Sequence, residues 1–259
     1  MSSSLIVSSE NRVRVLRLNR PDCLNALDPE LRRLLVEGLE EAKNDDGVRV
    51  VLITGTGERG FCAGQDLNES KALDEDSSAQ WMASWKDYFQ SFLRFPKPLV
   101  VAVNGVAAGA GLDLAMFGDI RLAVPTARFI MAEIDIGLPT LFGSYYLAQD
   151  VLWSRAIDIV LGGRAIEAEE ARRMGLIHEI ADGEALASRS REVADELAAK
   201  APHAMRLNIE RLRHMRLAEM ERDGVFEALV AYQREAIASG EPQKVMAEFF
   251  ARRAARRRG

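Results

Sequence analysis

Residues 103–116 read VNGVAAGAGLDLAM, and residues 61–67 read FCAGQDL. Each of these glycine-bearing stretches follows a β-branched apolar run, VRVVLITG ending at Gly55 and PLVVAVNG ending at Gly105. Such a run is typical of a buried strand that opens into a loop and then a helix. Small residues at a turn let a ligand approach main-chain amides closely, and two amides that meet at one carbonyl oxygen stabilise an enolate or a tetrahedral anion. The two turns are therefore the first candidates for a functional site.

Length and composition indicate one substantial core. The chain has 259 residues, of which 48% are hydrophobic, enough for one domain or for one domain with a helical extension. It contains no apolar run of about eighteen residues and no basic segment followed by an apolar one at its start. We therefore expect a soluble, cytoplasmic protein with neither a membrane span nor a secretory signal.

The charged residues, cysteines and histidines limit the kinds of ligand that the chain is expected to bind. The net charge is −5, and the last eight residues, RRAARRRG, carry five arginines, so the rest of the chain is more acidic than the whole. An acidic body argues against broad nucleic-acid binding. Cys23 and Cys62 are the two cysteines, which suggests free thiols rather than a disulfide. The three histidines show no metal-ligand spacing, and we expect no metal site.

Apolar periodicity predicts a series of strands and helices. The predicted strands are 5–9 and 12–18 as a hairpin-like pair, 48–54, 99–103, 120–124, 128–131 and a short one at 176–180. The predicted helices are 29–43, 81–95, 112–117 and most of the chain from 145 onward, with a polar, mobile loop over 68–78. Strand-strand-helix units followed by helices imply a parallel-type layered α/β core. We expect a catalytic core over 1–195 and a helical region over 196–259.

Two features near the first turn are expected to be misleading. Gly55, Gly57 and Gly60 spell GxGxxG after a strand, as in a dinucleotide-binding turn. Another glycine and a charged segment follow instead of a long apolar helix, so we expect no dinucleotide site. Cys62 has no histidine beside it in the sequence, so we do not expect it to act as a nucleophile.

Two carboxylates stand in apolar sequence. Asp113 lies in GLDLAMF, and Glu133 follows RFIMA. Buried carboxylates are uncommon unless paired or functional, and burial raises their pKa toward values useful for proton transfer. Each is therefore an acid/base candidate. One alternative is that Asp113 only supports helix packing, tied to Arg121 or to a backbone amide, and another is that the glycines only permit tight turns.

Four segments, in this order and at similar spacing, resemble the enoyl-CoA hydratase/isomerase (crotonase) superfamily. They are Asn19-Arg20-Pro21 with Asn25-Ala26-Leu27, then FCAGQDL, then VNGVAAGAGLDLAMFGDIRLA, then Glu133-Ile134-Asp135-Ile136-Gly137. The resemblance covers nearly the whole chain. It implies an α/β fold built as a crotonase-like spiral of ββα repeats, with a helical C-terminal trimerisation region. It also implies a homotrimer or a dimer of trimers.

The resemblance further implies a reaction, enoyl-CoA hydratase activity on 2-trans-enoyl-CoA thioesters. It assigns the two amides of an oxyanion hole to Gln65 and Ala110 and the catalytic carboxylates to Asp113 and Glu133. Glu133 is expected to transfer a proton at the carbon next to the thioester carbonyl, and Asp113 to orient or activate the water that attacks one carbon further on. Because two amides stabilise the enolate, we expect neither a metal nor a cofactor besides the coenzyme A of the substrate.

Substrate-binding residues are expected around both turns, beside the coenzyme A, and along the acyl pocket. Those at the turns are Ala63, Gly64, Asp66, Leu67 and Gly109. Those beside the coenzyme A are the backbone at Cys23 and Leu24, with Arg252 near the phosphates and Phe249 near the adenine. Those of the acyl pocket are Leu138, Leu141 and Phe142. An apolar helix face at Phe249 and a solvated Arg252 remain alternatives.

The chain departs from the family pattern at several positions. Ala110 stands where the family usually has glycine, Asp113 where hydratases usually have glutamate, and Asp22 where relatives often have lysine. Leu141 replaces a further aspartate of the dienoyl-CoA isomerases, which argues against their reaction. Two alternatives stay open: a 3,2-enoyl-CoA isomerase with Glu133 as sole proton shuttle, and a relative that binds a CoA thioester or RNA without turnover.

Overall fold

The computed structural model describes residues 3–70, 75–140 and 142–256, and for residues 70, 75–80, 249, 250 and 252–256 it describes the main chain alone. The strands in this part of the chain are β1 (Leu5–Glu10), β2 (Val13–Leu18), β3 (Val50–Gly55), β4 (Gly60–Cys62), β5 (Leu99–Val103), β6 (Val106–Ala108), β7 (Ile120–Ala123), β8 (Arg128–Ile130), β9 (Ala165–Glu167) and β10 (Glu179–Ile180). The helices are α1 (Pro29–Asn44), α2 (Leu67–Ser70), α3 (Glu75–Leu93), α4 (Ala110–Met116), α5 (Phe142–Asp150), α6 (Trp153–Gly162), α7 (Ala168–Arg173), α8 (Leu186–Ala198), α9 (Pro202–Arg222), α10 (Val225–Ser239) and α11 (Glu241–Arg256). Two 3-10 helices in the described residues span Pro21–Cys23 and Glu133–Ile136.

The strands form two sheets, and the chain alternates between them. The first has the order β1-β2-β3-β5-β7-β10, in which β1 and β2 are antiparallel and the other pairs are parallel. The second has the order β4-β6-β8-β9, in which only the last pair is antiparallel. Strands β3, β5 and β7 of the first sheet are each followed by a strand of the second, β4, β6 and β8. The predicted α/β spiral of strand-strand-helix units, with helices in the C-terminal part, is confirmed.

Local sequence explains the central elements. The side chains of β5, LVVAV, are all buried, as is usual for a parallel strand covered on both faces. α1 begins after Asp28, whose side chain accepts a hydrogen bond from the amide of Leu31 at 2.8 Å, and Pro29 occupies the first helical turn. Among the described helices, none is both long enough and apolar enough to cross a membrane.

The second sheet positions the functional residues. Strands β4, β6 and β8 run parallel, so their carboxyl ends meet at one edge of the sheet. The residues that follow these ends include Gln65 after β4, Ala110 after β6 and Glu133 after β8. Ligands of open α/β sheets commonly bind at this edge. Three segments that are far apart in the sequence are thereby brought to one place.

The structure corrects some local expectations. The short strands β4, β6 and β9 were not predicted, and the strand expected over 176–180 is confined to Glu179–Ile180. The loop expected over 68–78 is wrong in part, because α2 spans Leu67–Ser70 and α3 begins at Glu75, while residues 71–74 lie outside the described chain. The division into 1–195 and 196–259 stays a prediction.

Candidate active site

The two glycine turns lie against each other. Gly64 has φ +89°, and a methyl group built on it would clash with Ala108 O and lie 3.2 Å from Ala110 N. L side chains rarely adopt this conformation, and there is no room for one here. Glycine therefore lets the main chain beside Gln65 approach the beginning of α4 closely.

The side chain of Glu133 lies against the second glycine turn. A methyl group built on Gly109, which has φ +51°, would lie 2.9 Å from Glu133 Oε1. The carboxylate of Glu133 thus lies directly against the residue that precedes Ala110. Asp113 follows one turn later in α4, and its amide donates a hydrogen bond to Gly109 O at 3.1 Å.

These groups line one cavity of about 290 Å³. The described residues that line it are Ala63, Gln65, Leu67, Trp81, Trp85, Phe89, Ala108, Gly109, Ala110, Asp113, Ala132, Glu133, Asp135, Ile136, Leu138, Pro139 and Gln233. The amide of Ala110 is the first of α4, and the first amides of a helix have no acceptor within the helix. The cavity therefore combines backbone donors with carboxylates in mainly apolar walls.

The two carboxylates are electrostatically coupled. Burial raises the pKa of Glu133 to about 7, although hydrogen bonds from its own backbone amide and from the Thr140 side chain oppose the shift. Burial, and after it the negative charge of Glu133, raises the pKa of Asp113 well above its ordinary value. Among the described residues, neither Asp113 Oδ1 nor Glu133 Oε2 has a hydrogen-bond partner. Two buried carboxylates that feel each other's charge do not both ionise readily, so near neutral pH the pair holds about one proton.

Polar contacts hold the first turn in place. The guanidinium of Arg20 pairs with Asp28 at 3.0 Å and with Asp66, the residue after Gln65, at 3.1 Å. Asn25 is fully buried and donates a hydrogen bond to Gly60 O at 3.0 Å. The segment NRPDCLNAL therefore supports the turn that carries Gln65.

The chain is similar over most of its length to proteins of one family. The family described as enoyl-CoA hydratase/isomerase matches residues 8–256. The chain belongs to the enoyl-CoA hydratase/isomerase family. It is 38% identical over 203 residues to a 1,2-epoxyphenylacetyl-CoA isomerase of Escherichia coli (strain K12), covering 76% of this chain and 77% of that protein. It is 37% identical over 212 residues to a 2,3-dehydroadipyl-CoA hydratase of the same organism, covering 82% of each. A solved enoyl-CoA hydratase/isomerase from Pseudoalteromonas atlantica T6c has a TM-score of 0.87 and 31% identity, covering 96% of this chain and 97% of that one.

Membership of the enoyl-CoA hydratase/isomerase family confirms the resemblance seen in the four segments. The structure brings together at the cavity the residues Ala63, Gln65, Leu67, Gly109, Ala110, Asp113, Glu133 and Leu138. Gly64 lies beside the cavity, whereas Cys23, Leu24 and Asp66 do not line it. Leu141 and the side chains of Phe249 and Arg252 lie outside the described residues. The roles assigned to these positions stay predictions.

One predicted pocket residue is wrong. Phe142 is fully buried and does not line the cavity. Its ring stacks on that of Phe89, with centroids 3.9 Å apart, and Phe89 is the ring that faces the cavity. Phe142 is the first residue of α5, and it packs behind the pocket wall instead of forming it.

Three alternatives are also decided by the geometry. Asp113 is not tied to Arg121, because Arg121 pairs with Asp150 at 2.8 Å. Burial raises the pKa of the Cys62 thiol to about 12, so the thiol stays protonated and is a poor nucleophile. The GxGxxG segment leads into β4 at Gly60 and not into a helix, so it is not a dinucleotide-binding turn.

Several residues that line the cavity were not predicted from the sequence. Trp81, Trp85 and Phe89 recur at every fourth position of α3 and form one wall. This spacing indicates a helix face but not what the face covers. Gln233 reaches the cavity from α10, and no signal in the sequence connects it with the glycine turns.

We expect Glu133→Gln to stabilise the protein increasingly as the pH rises. Because the folded-state pKa of Glu133 is about 7, above its ordinary value, the folded chain holds this proton longer than the unfolded chain. The contribution of the carboxyl to stability is therefore full below about pH 4.5 and is lost as the pH rises through 7. The free energy of unfolding of the variant, minus that of the wild type, should grow by roughly 3 kcal/mol between pH 5 and pH 8.

Urea unfolding at both pH values measures this difference. Glu184→Gln, which changes an exposed carboxylate, is the matched control and should show no growth. A constant difference for Glu133→Gln across the pH range would contradict the raised pKa.

Proposed function

We propose that this protein is an enoyl-CoA hydratase, which adds water to 2-trans-enoyl thioesters of coenzyme A. One observation carries the proposal: the buried Asp113 and the half-buried Glu133, both with raised pKa values, line the same cavity as Gln65 and Ala110. Adding water across a double bond needs a base for the water and an acid for the neighbouring carbon. A carboxyl pair that holds one proton supplies both.

In the proposed reaction, the thioester carbonyl oxygen accepts hydrogen bonds from the amides of Gln65 and Ala110. These amides would stabilise the negative charge that develops on the oxygen as water attacks C3. Asp113 would take a proton from that water, and Glu133 would deliver its proton to C2, a step that uses the state of the coupled pair in which the shared proton lies on Glu133. The reaction requires neither a metal nor a redox cofactor, because the amides carry the stabilisation of the enolate.

An isomerase that uses Glu133 alone is the second candidate. Two observations favour it: a relative at 38% identity is named as an isomerase, and residue 113 is aspartate where hydratases usually have glutamate. Loss of conjugated-thioester absorbance from but-2-enoyl-CoA supports hydration. Appearance of that absorbance from but-3-enoyl-CoA, without loss from the first substrate, supports isomerisation. Turnover of neither would favour a CoA-thioester or RNA-binding relative.

We expect Asp113→Asn to reduce the rate of hydration about 10²-fold, the lower part of the range for general acid–base groups. The enolate site should stay intact, because Glu133 and the amides are unchanged. Exchange of the C2 hydrogen of butanoyl-CoA with D₂O, followed by NMR, measures that site without an attacking water. Asp182→Asn, an exposed carboxylate, is the control. Equal loss of hydration and of exchange would contradict the division of roles.

A homotrimer or dimer of trimers is part of the proposal. Large apolar side chains of α6 and the residue before it are exposed, namely Leu152 at 75%, Trp153 at 69% and Leu161 at 68%. Clustered exposed apolar side chains are typical of a surface that another protein chain covers.

A further inference from the structure

The cavity contains a polar side chain that the proposed reaction does not use. Gln233 is 2% exposed and lines the cavity together with Glu133. Its Oε1 has no hydrogen-bond partner among the described residues. Because leaving a buried amide oxygen unpaired is unfavourable, a ligand group that pairs with it is the simplest explanation for its presence.

Helix packing alone would place an apolar residue at this position. Phe226 and Leu229 lie on the same face of α10, and both are buried. Phe226 packs against Phe142, with ring centroids 5.3 Å apart. Gln233 continues this buried stripe up to the cavity wall, where a leucine or methionine would pack without an unpaired polar atom.

The other residues that line the cavity determine which ligand groups can lie beside Gln233. Trp81, Trp85 and Phe89 give it an aromatic wall, in which Trp81 meets Trp85 edge to face with centroids 6.2 Å apart and the rings of Trp85 and Phe89 stack with centroids 5.6 Å apart. Of the described residues that line the cavity, none is basic and three are carboxylates. A negatively charged acyl group would meet like charges and no counter-charge, which is costly in an apolar cavity. The walls therefore favour a neutral group, and their aromatic side chains pack favourably against a further ring.

We propose that the acyl group of the substrate carries an aryl ring with a neutral hydroxyl, and that Gln233 hydrogen-bonds this hydroxyl. The proposal rests on the acyl-CoA activity proposed above. A primary amide both donates and accepts, so it pairs with a hydroxyl in either sense. An apolar cavity of about 150 Å³ holds a benzene ring, so the 290 Å³ of this cavity accommodates the ring and the carbons that react. Gln233 is then a specificity-determining residue.

The test measures binding of two saturated analogues that hydration does not consume, 3-(4-hydroxyphenyl)propanoyl-CoA and 3-phenylpropanoyl-CoA, by isothermal titration calorimetry. The wild type should bind the hydroxylated compound about tenfold more tightly. Gln233→Met should bind both equally, because methionine keeps the length and helix preference of the side chain and removes the amide. Tyr232→Phe, at a neighbouring position that is 60% exposed, is the matched control and should keep the wild-type ratio.

Four outcomes would overturn the inference. They are equal wild-type affinity for the two analogues, an unchanged preference in Gln233→Met, equal loss of affinity for both analogues in that variant, and tighter wild-type binding of adipoyl-CoA than of the hydroxylated compound. Turnover is measured separately with 4-hydroxycinnamoyl-CoA. Selective binding through Gln233 without any hydration or isomerisation would refute the proposed function and leave this inference standing.

Discussion

Replacement of Glu133 by glutamine is expected to lower kcat for hydration of but-2-enoyl-CoA by about 10³-fold or more, within the range for general acid–base catalysis. Glutamine keeps the size of the side chain but neither gives nor takes the proton at C2. Burial brings the pKa of Glu133 to about 7, and a group that titrates near the working pH is the most effective proton carrier. The rate of loss of the conjugated-thioester absorbance measures kcat, and calorimetric titration with butanoyl-CoA measures binding, which should be retained.

Glu184→Gln is the matched control for this variant. Glu184 is exposed and does not line the cavity, and its replacement should change kcat by less than about twofold, because it lies away from the reacting groups. Full turnover by Glu133→Gln would refute the mechanism. If the affinity for butanoyl-CoA fell by the same factor as kcat, Glu133 would instead be needed to maintain the structure of the site.

Ala110→Pro is expected to reduce kcat/KM about 10²–10³-fold, the usual effect of removing one oxyanion-hole donor. Ala110 is the first residue of α4, and proline is well tolerated at the first position of a helix, where it removes only an amide that has no partner in the helix. The substitution therefore tests the amide with little disturbance of the fold. Steady-state kinetics with but-2-enoyl-CoA measures the effect, and circular dichroism checks the helix content.

Ala110→Gly separates the amide from the side chain. It keeps the N–H, removes only the methyl group, and places at this position the residue that the family usually has, so we expect activity close to that of the wild type. Binding of free coenzyme A, which lacks the thioester oxygen, should be the same for both variants. Wild-type turnover by Ala110→Pro would exclude this amide from catalysis.

The larger elements of the fold follow from local sequence. The apolar run of β5, LVVAV, is long enough to show a buried strand, and Asp28 with Pro29 marks the beginning of α1 because a cap and a first-turn proline act on adjacent residues. The strands β4, β6 and β9 have three residues each. Three residues show no periodicity, and these strands exist because partners from distant parts of the chain pair with them.

The prediction that Phe142 lines the pocket was wrong for the same reason, because the position of its ring depends on contacts with a distant part of the chain. The sequence shows an aromatic residue close to Glu133 and Leu138, which places it near the acyl pocket along the chain. Whether its ring or another faces the cavity depends on the neighbouring helix, and the stack with Phe89 turns it into the core. Sequence proximity brings a residue to the neighbourhood of a site, and packing decides which atoms the site contains.

By itself, the sequence determined that glycine turns and carboxylates follow successive buried strands, and that the chain belongs to a family in which those positions are arranged in this order. Only the tertiary structure decided that Asp113 and Glu133 share one buried cavity, which is what couples their charges and raises their pKa values. It also decided that the aromatic wall of α3 and Gln233 of α10 complete that cavity. Turns and helix caps depend on neighbouring residues and can be predicted from local sequence. Desolvation and charge coupling depend on every group that surrounds an atom in three dimensions.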